Sequence, residues 1–234
     1  MTPTAITKQI PLPGNGMMVV SGVTLDAVSY LDAKLLGANG MPNPLPSAML
    51  LALDPLHLRL WMHRRAIYCY PTLELVAFVR RWVRRVARPE KALEIGAGCS
   101  GLGFHVGVRR TDSYVQVDDP SVAAYYALTR QPPVQPLPGV IKASARAAVR
   151  NFRPQAVFGS WITQCKPDKA GLGSDHGPDE VTLLKRVKHY LHVGTDTVHG
   201  SKHINDLPHE LLRFPWIVSR TSDPAANHIR IWGG

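Results

Sequence analysis

The chain has 234 residues, of which 45% are hydrophobic and 19% charged, enough apolar material for one large domain or a domain with a smaller helical cap. No apolar run approaches the ~20 residues that span a bilayer, and no basic segment followed by an apolar one opens the chain, so a cytoplasmic protein without membrane contact is expected. A net charge of +10 and a pI near 9.8 gather anions around the protein and point to nucleic acid among its partners.

Residues 1–16 carry Pro3, Pro11, Pro13, Gly14 and Gly16 and read as an irregular arm. The spacing Leu25, Val28, Leu31, Leu35 predicts an amphipathic helix over 24–36, and a partly helical segment follows over 47–62 after the proline-rich break at 41–46. The strongest helix of this region covers 73–86, with Thr72 as N-cap, Glu74 in the first turn and Pro89 as the stop. Its apolar stripe is Leu75, Val79, Trp82, Val83 and Val86, and its other side carries Arg80, Arg81, Arg84, Arg85 and Arg88. Residues 1–88 are therefore an arm and helical cap, and 89–234 a second domain.

Beyond Lys91 short β-rich runs alternate with helical ones, which predicts an α/β domain with a mainly parallel sheet. Strands are expected at 92–95, 108–112, 140–142, 156–161, 190–193, 216–219 and 228–232, and helices at 100–107, 122–128, 145–151, 180–188 and 207–212. Only residues 220–227 separate the last two strands, too few for a crossover helix, so that pair is expected to be antiparallel. Cys69, Cys99 and Cys165 are odd in number, far apart and form no CxxC, so reduced thiols are expected rather than a zinc site or a disulfide framework.

The stretch Lys91-Ala-Leu-Glu-Ile-Gly-Ala-Gly-Cys-Ser-Gly101 places Gly96, Gly98 and Gly101 in G-x-G-x-x-G between a strand and a helix. Nucleotide and nucleoside binders share that pattern, and Glu94 separates them. A carboxylate two residues before the first glycine repels a diphosphate and suits a cation. With this residue the segment resembles the first motif of class I S-adenosylmethionine (SAM)-dependent methyltransferases, hh(D/E)hGxGxG, matched by Leu93-Glu94-Ile95-Gly96-Ala97-Gly98, with Ser100 at the usual third glycine and Gly101 after it. The resemblance implies a Rossmann-like seven-stranded sheet with an antiparallel last hairpin, SAM as cofactor, and an N-terminal helical cap over the site. It assigns cofactor contacts to Glu94, Gly96, Ala97, Gly98 and Gly101. Tyr68-Cys-Tyr-Pro-Thr-Leu-Glu74 also resembles a segment preceding that motif in some bacterial and phage methyltransferase-like proteins, which adds Tyr70 and Thr72.

A carboxylate ending the second strand would take the ribose hydroxyls. Asp112 is the first choice, and Asp118, at the end of an alternative strand 114–117, the second. Ser144 follows the third strand where the adenine would lie. Ser160, Trp161 and Gln164 follow the fourth, facing the transferred methyl. His199, Lys202 and His203 follow the fifth and are the candidate bases, while Gly200 argues against a helix presenting both histidines to a metal. No Asn/Asp-Pro-Pro-Tyr/Phe and no Pro-Cys occurs, so the methyl acceptor and oligomeric state stay open. Two other functions are weighed: a SAM-fold protein without transferase activity that contacts nucleic acid, and an NAD(P)-dependent oxidoreductase using Asp118 or Asp119 on the ribose.

Overall fold

The computed structural model describes residues 7–12, 16–21, 25–128, 131–165, 169 and 173–233. The arm contains an antiparallel hairpin of β1 (Thr7–Leu12) and β2 (Gly16–Ser21), where the sequence suggested irregular chain. Residues 1–6 and 13–15 of the expected arm lie outside the described set. The expected helix at 24–36 is a 3₁₀ stretch, Leu25–Leu31, running into α1 (Asp32–Leu35), with Thr24 outside the described residues. Segment 47–62 divides into α2 (Ser47–Leu51) and α3 (Pro55–Arg64). Pro55 cannot donate to a preceding turn but suits a first one, and Asp54 caps α3 by accepting from Leu56 N and His57 N at 2.9 Å each.

Val28, Leu31, Leu35, Leu50, Trp61 and Ile67 form the core of the cap. Asp32 fixes it by accepting from Trp61 Nε1 at 2.7 Å and from the Arg65 guanidinium. Helix α4 (Leu73–Val86) matches its predicted span, with Thr72 Oγ1 accepting from Leu75 N at 3.1 Å. Its apolar stripe packs on the sheet rather than within the cap.

The remaining elements alternate as expected: β3 (Ala92–Glu94), α5 (Leu102–Val106), β4 (Arg109–Asp112), α6 (Val115–Asp118), α7 (Pro120–Leu128), β5 (Ile141–Lys142), α8 (Ala145–Phe152), β6 (Ala156–Ser160), α9 (Glu180–Leu184), β7 (His189–Thr195), α10 (Asp196–His199), β8 (Glu210–Leu212) and β9 (Asn227–Trp232). Seven strands order as β5-β4-β3-β6-β7-β9-β8. The first five in this order run parallel, and β9 lies antiparallel between β7 and β8. The result is a Rossmann-like α/β sheet covered on both faces. Leu75, Val79, Trp82 and Leu102 pack on Phe158, Leu191 and Ile229 on one face. Ala148, Val149, Leu183 and Ile204 pack on Leu93, Val157, Tyr190 and Trp232 on the other. The alternation of Phe158 and Val157 between the two cores is the period-two signature of a strand buried on both sides.

Three expectations fail. Residues 207–212 are no helix, because Pro208 withholds a backbone donor and six residues are too few to stand alone, so Glu210–Leu212 joins the sheet as β8. Residues 216–219 are not the sixth strand. They bond to the cap instead, through Tyr70 N to Val218 O at 2.8 Å, Arg220 N to Tyr68 O at 3.1 Å and a bridge from Cys69 to Ser219. The alternative strand 114–117 is the helical turn α6, entered through Tyr114 at φ 62°. Among the described residues no helix is long and apolar enough to cross a membrane.

Candidate ligand cleft

Strand order reverses at β3, whose neighbours β4 and β6 lead away in opposite directions, and a reversal leaves a crevice beyond the carboxyl ends of the strands. A cleft of about 460 Å³ opens there. Its wall follows strand ends in turn: Gly96, Ala97 and Gly98 after β3, Asp112 and Ser113 after β4, Ser144 after β5, Ser160 and Trp161 after β6.

The glycine bend is held from both sides. Ala97 N donates to Thr111 O at 3.0 Å, and Gly98 N to Asp112 Oδ2 at 3.0 Å. Gly96, Gly98 and Gly101 have φ of 56°, 50° and 74°, the left-handed region that only glycine enters freely. A Cβ on Gly96 would also lie 2.2 Å from Ile162 Cδ1, whereas one on Gly101 meets nothing closer than 3.6 Å. Gly96→Ala therefore combines backbone strain with a clash and should cost about 2–3 kcal/mol, against about 1 kcal/mol for Gly101→Ala. Thermal melting of the two variants side by side checks this, and equal losses would show that Ile162 swings aside freely.

No protein family, curated protein or solved structure matches the chain. The site is thus defined by its own geometry. Asp112 lines the wall at the end of β4, its Oδ1 accepting from Tyr114 N at 2.8 Å. Asp118 is outside the wall, ion-paired to Lys142 at 2.6 Å on the surface. Ser144 lines the cleft and caps α8 by accepting from Ala147 N at 3.3 Å. Trp161 has φ 58° and packs against Tyr68 and His199, with ring centroids 5.7 and 5.4 Å away.

Several expected site residues stand elsewhere. Glu94 is 1% exposed and turns beneath the bend, where its Oε2 accepts from Gly103 N at 2.9 Å. Burial pushes its pKa up to about 8 against the pull of the Gly103 bond and Arg110. Tyr70 and Thr72 are buried in joints of the fold: Tyr70 Oη donates to Asn43 O at 2.7 Å, and Thr72 Oγ1 to Trp216 O at 3.2 Å. Gln164 is not part of the wall and accepts from His203 N at 2.7 Å. The candidate bases are not at the wall. His199 is buried, with Nδ1 3.1 Å from Thr195 N and its ring against that of His192 at 4.7 Å. Lys202 Nζ lies 2.6 Å from Glu180 Oε2, both buried. Among the described residues no group of His, Cys, Asp and Glu could hold a metal.

The wall also includes residues that the motif did not single out, among them Tyr68, Cys69, Tyr126, Val134, Ile162 and Asp179. Tyr68 and Cys69 belong to the segment 68–74 before the glycine motif, which therefore reaches the wall through these two residues and not through Tyr70 and Thr72. Burial pushes the Cys69 and Cys99 thiols up to about 12, which makes both structural thiols rather than nucleophiles.

Proposed function

We propose that the chain is a SAM-dependent methyltransferase whose cofactor lies along the carboxyl ends of β3, β4 and β5. One observation carries the reading. The Gly98 N–H, which a dinucleotide fold would turn toward a diphosphate, already donates to the carboxyl group of Asp112 at the cleft wall. An acidic group thus stands at the bend where a phosphate would lie, and a cationic nucleoside suits it where a diphosphate does not. In this reading Asp112 receives the ribose hydroxyls, Ser144 borders the adenine, and Ser160 and Trp161 face the methyl group. Glu94 is a positioning residue that holds the bend and the start of α5 from below. The seven-stranded sheet with its antiparallel end fits the resemblance of the glycine motif. Cytoplasmic location and an acceptor bound from solution belong to the same proposal.

Methyl transfer to an acceptor of low acidity needs a base, and for others positioning suffices. Because His199 and Lys202 are buried, and neither they nor exposed His203 line the wall, a second reading is favoured by the same geometry: a SAM-binding protein without transferase activity. Incubation with methyl-labelled SAM and nucleic acid, protein and small-molecule fractions of an extract distinguishes the two. Label in any fraction supports the enzyme, and bound SAM with no transfer supports the silent protein. The NAD(P) reading loses its ribose ligand, since Asp118 and Asp119 are not part of the wall. Asp112→Ala should weaken SAM binding at least ~10-fold, since a hydrogen bond to a charged group contributes ~1.5–3 kcal/mol. Asp118→Ala should change it less than ~2-fold, because its exposed ion pair contributes little. Calorimetric titration of both variants reads the difference.

A further inference from the structure

The cleft has a basic rim. Arg146, in the first turn of α8, and Arg186, just beyond the last turn of α9, both line it, and both are exposed. Arg150 is exposed and follows Arg146 one helical turn on along α8, and exposed Arg153 stands at the C-terminal cap of the same helix. None of these four arginines is in an ion pair among the described residues. Nor can a nearby side chain of the same segments neutralise them, because residues 143–155 and 183–192 contain no Asp or Glu. Of the two acidic residues in this wall, Asp179 caps α9, with Oδ1 accepting from Thr182 N at 2.9 Å, and Asp112 accepts from Gly98 N and Tyr114 N. The same wall holds two aromatic rings, Tyr68 and Trp161, 5.7 Å apart, with the Arg220 guanidinium 3.6 Å from the Tyr68 centroid.

We propose that this face binds a single-stranded segment of nucleic acid, its phosphates along Arg146, Arg150 and Arg186 and a base reaching the Tyr68–Trp161 wall. A positive track beside aromatic faces is what such a strand requires, since the guanidinium groups take the phosphates and every base offers a face for stacking. A membrane surface would meet the arginines equally well but gives the sunken aromatic wall no role. The surface stands whether or not the cleft takes SAM, and only the step that makes the bound strand the methyl acceptor rests on the cofactor reading.

The test is fluorescence anisotropy of the full chain with a labelled oligothymidylate about 20 nucleotides long, without SAM, so that its failure is separate from failure of the cofactor reading. Three phosphate contacts on a single strand should weaken binding about 20-fold between about 50 and 200 mM salt. The variant Arg146→Gln/Arg150→Gln/Arg186→Gln should bind at least ~10-fold more weakly at the lower salt and lose most of that salt dependence. A charge-matched control, Arg81→Gln/Arg84→Gln/Arg85→Gln on the outer side of α4, should bind within ~2-fold of the wild type, and circular dichroism should show both variants folded. The proposal is overturned by absence of binding at the lower salt, by equal losses in the two variants, or by wild-type binding to phosphatidylserine vesicles that exceeds binding to the strand.

Discussion

Replacing Lys202 with methionine should lower the stability of the fold by about 3–5 kcal/mol while leaving the ligand cleft intact. The ammonium lies 2.6 and 2.8 Å from the two oxygens of Glu180, whose Oε1 also accepts from Tyr190 Oη at 2.6 Å. Burial pulls the Lys202 pKa down, with Glu180 acting in the opposite direction. With the ammonium removed, Glu180 keeps one donor in a layer closed to water, and an uncompensated buried carboxylate is among the more damaging single changes a core can receive. At ~2–4 °C per kcal/mol for a chain of this size, the melting temperature should fall by roughly 10 °C. Glu180→Gln with Lys202→Met removes both charges and should recover at least half of the loss. The same variant tests the role of Lys202 as a base. An unchanged melting temperature with abolished transfer would mean that the side chain works in the chemistry, contrary to its place beneath the sheet edge.

Glu94→Gln should make the protein more stable in mild alkali. The folded state holds the Glu94 proton from 4.5 up to about 8, because the carboxyl is buried beneath the glycine bend. An unfolded chain ionises through the lower part of that window while the folded one does not, so stability falls as pH rises from the ordinary glutamate range, at up to ~1.4 kcal/mol per pH unit, and levels off above the folded pKa. Glutamine accepts the Gly103 N–H bond without ionising. The two proteins should therefore differ little at about pH 5, and the variant should lead by a few kcal/mol at about pH 8.5. The difference between them is the measurement, because buried neutral His192, His199 and His228, the last with its pKa lowered to about 4, withdraw stability as pH falls. Denaturant unfolding at both pH values checks it, and parallel curves would place the Glu94 carboxylate in contact with solvent.

The glycine bend and its neighbours were legible because backbone geometry writes directly into sequence. Left-handed φ at Gly96, Gly98 and Gly101 demands glycine, and the strand before them demands an unbroken apolar run. Asp112 and Ser144 were legible through the order of elements, since each follows a strand end on one edge of the sheet. Glu94 misled because the motif gives a residue type and not a side-chain direction: the carboxyl turned toward Gly103 N rather than into the cleft. Tyr70 and Thr72 misled for the same reason, standing one and three residues beyond Cys69 of the wall. His199 and Lys202 were placed correctly on the sheet edge, but burial depth depends on residues distant in sequence, such as Glu180 and Trp161. The swap of helix and strand between 207 and 219 arose from a competition that no local pattern records. Residues 216–219 pair with residues 68–70 of the cap, which leaves the sheet edge to Glu210–Leu212.

Calorimetric titration of the full chain with SAM, with NAD titrated in parallel, tests the cleft most directly. A cationic nucleoside at a bend whose Gly98 N–H is taken by the Asp112 carboxyl should give saturable heat at one site per chain, and NAD none. Saturable heat with NAD and none with SAM would contradict it.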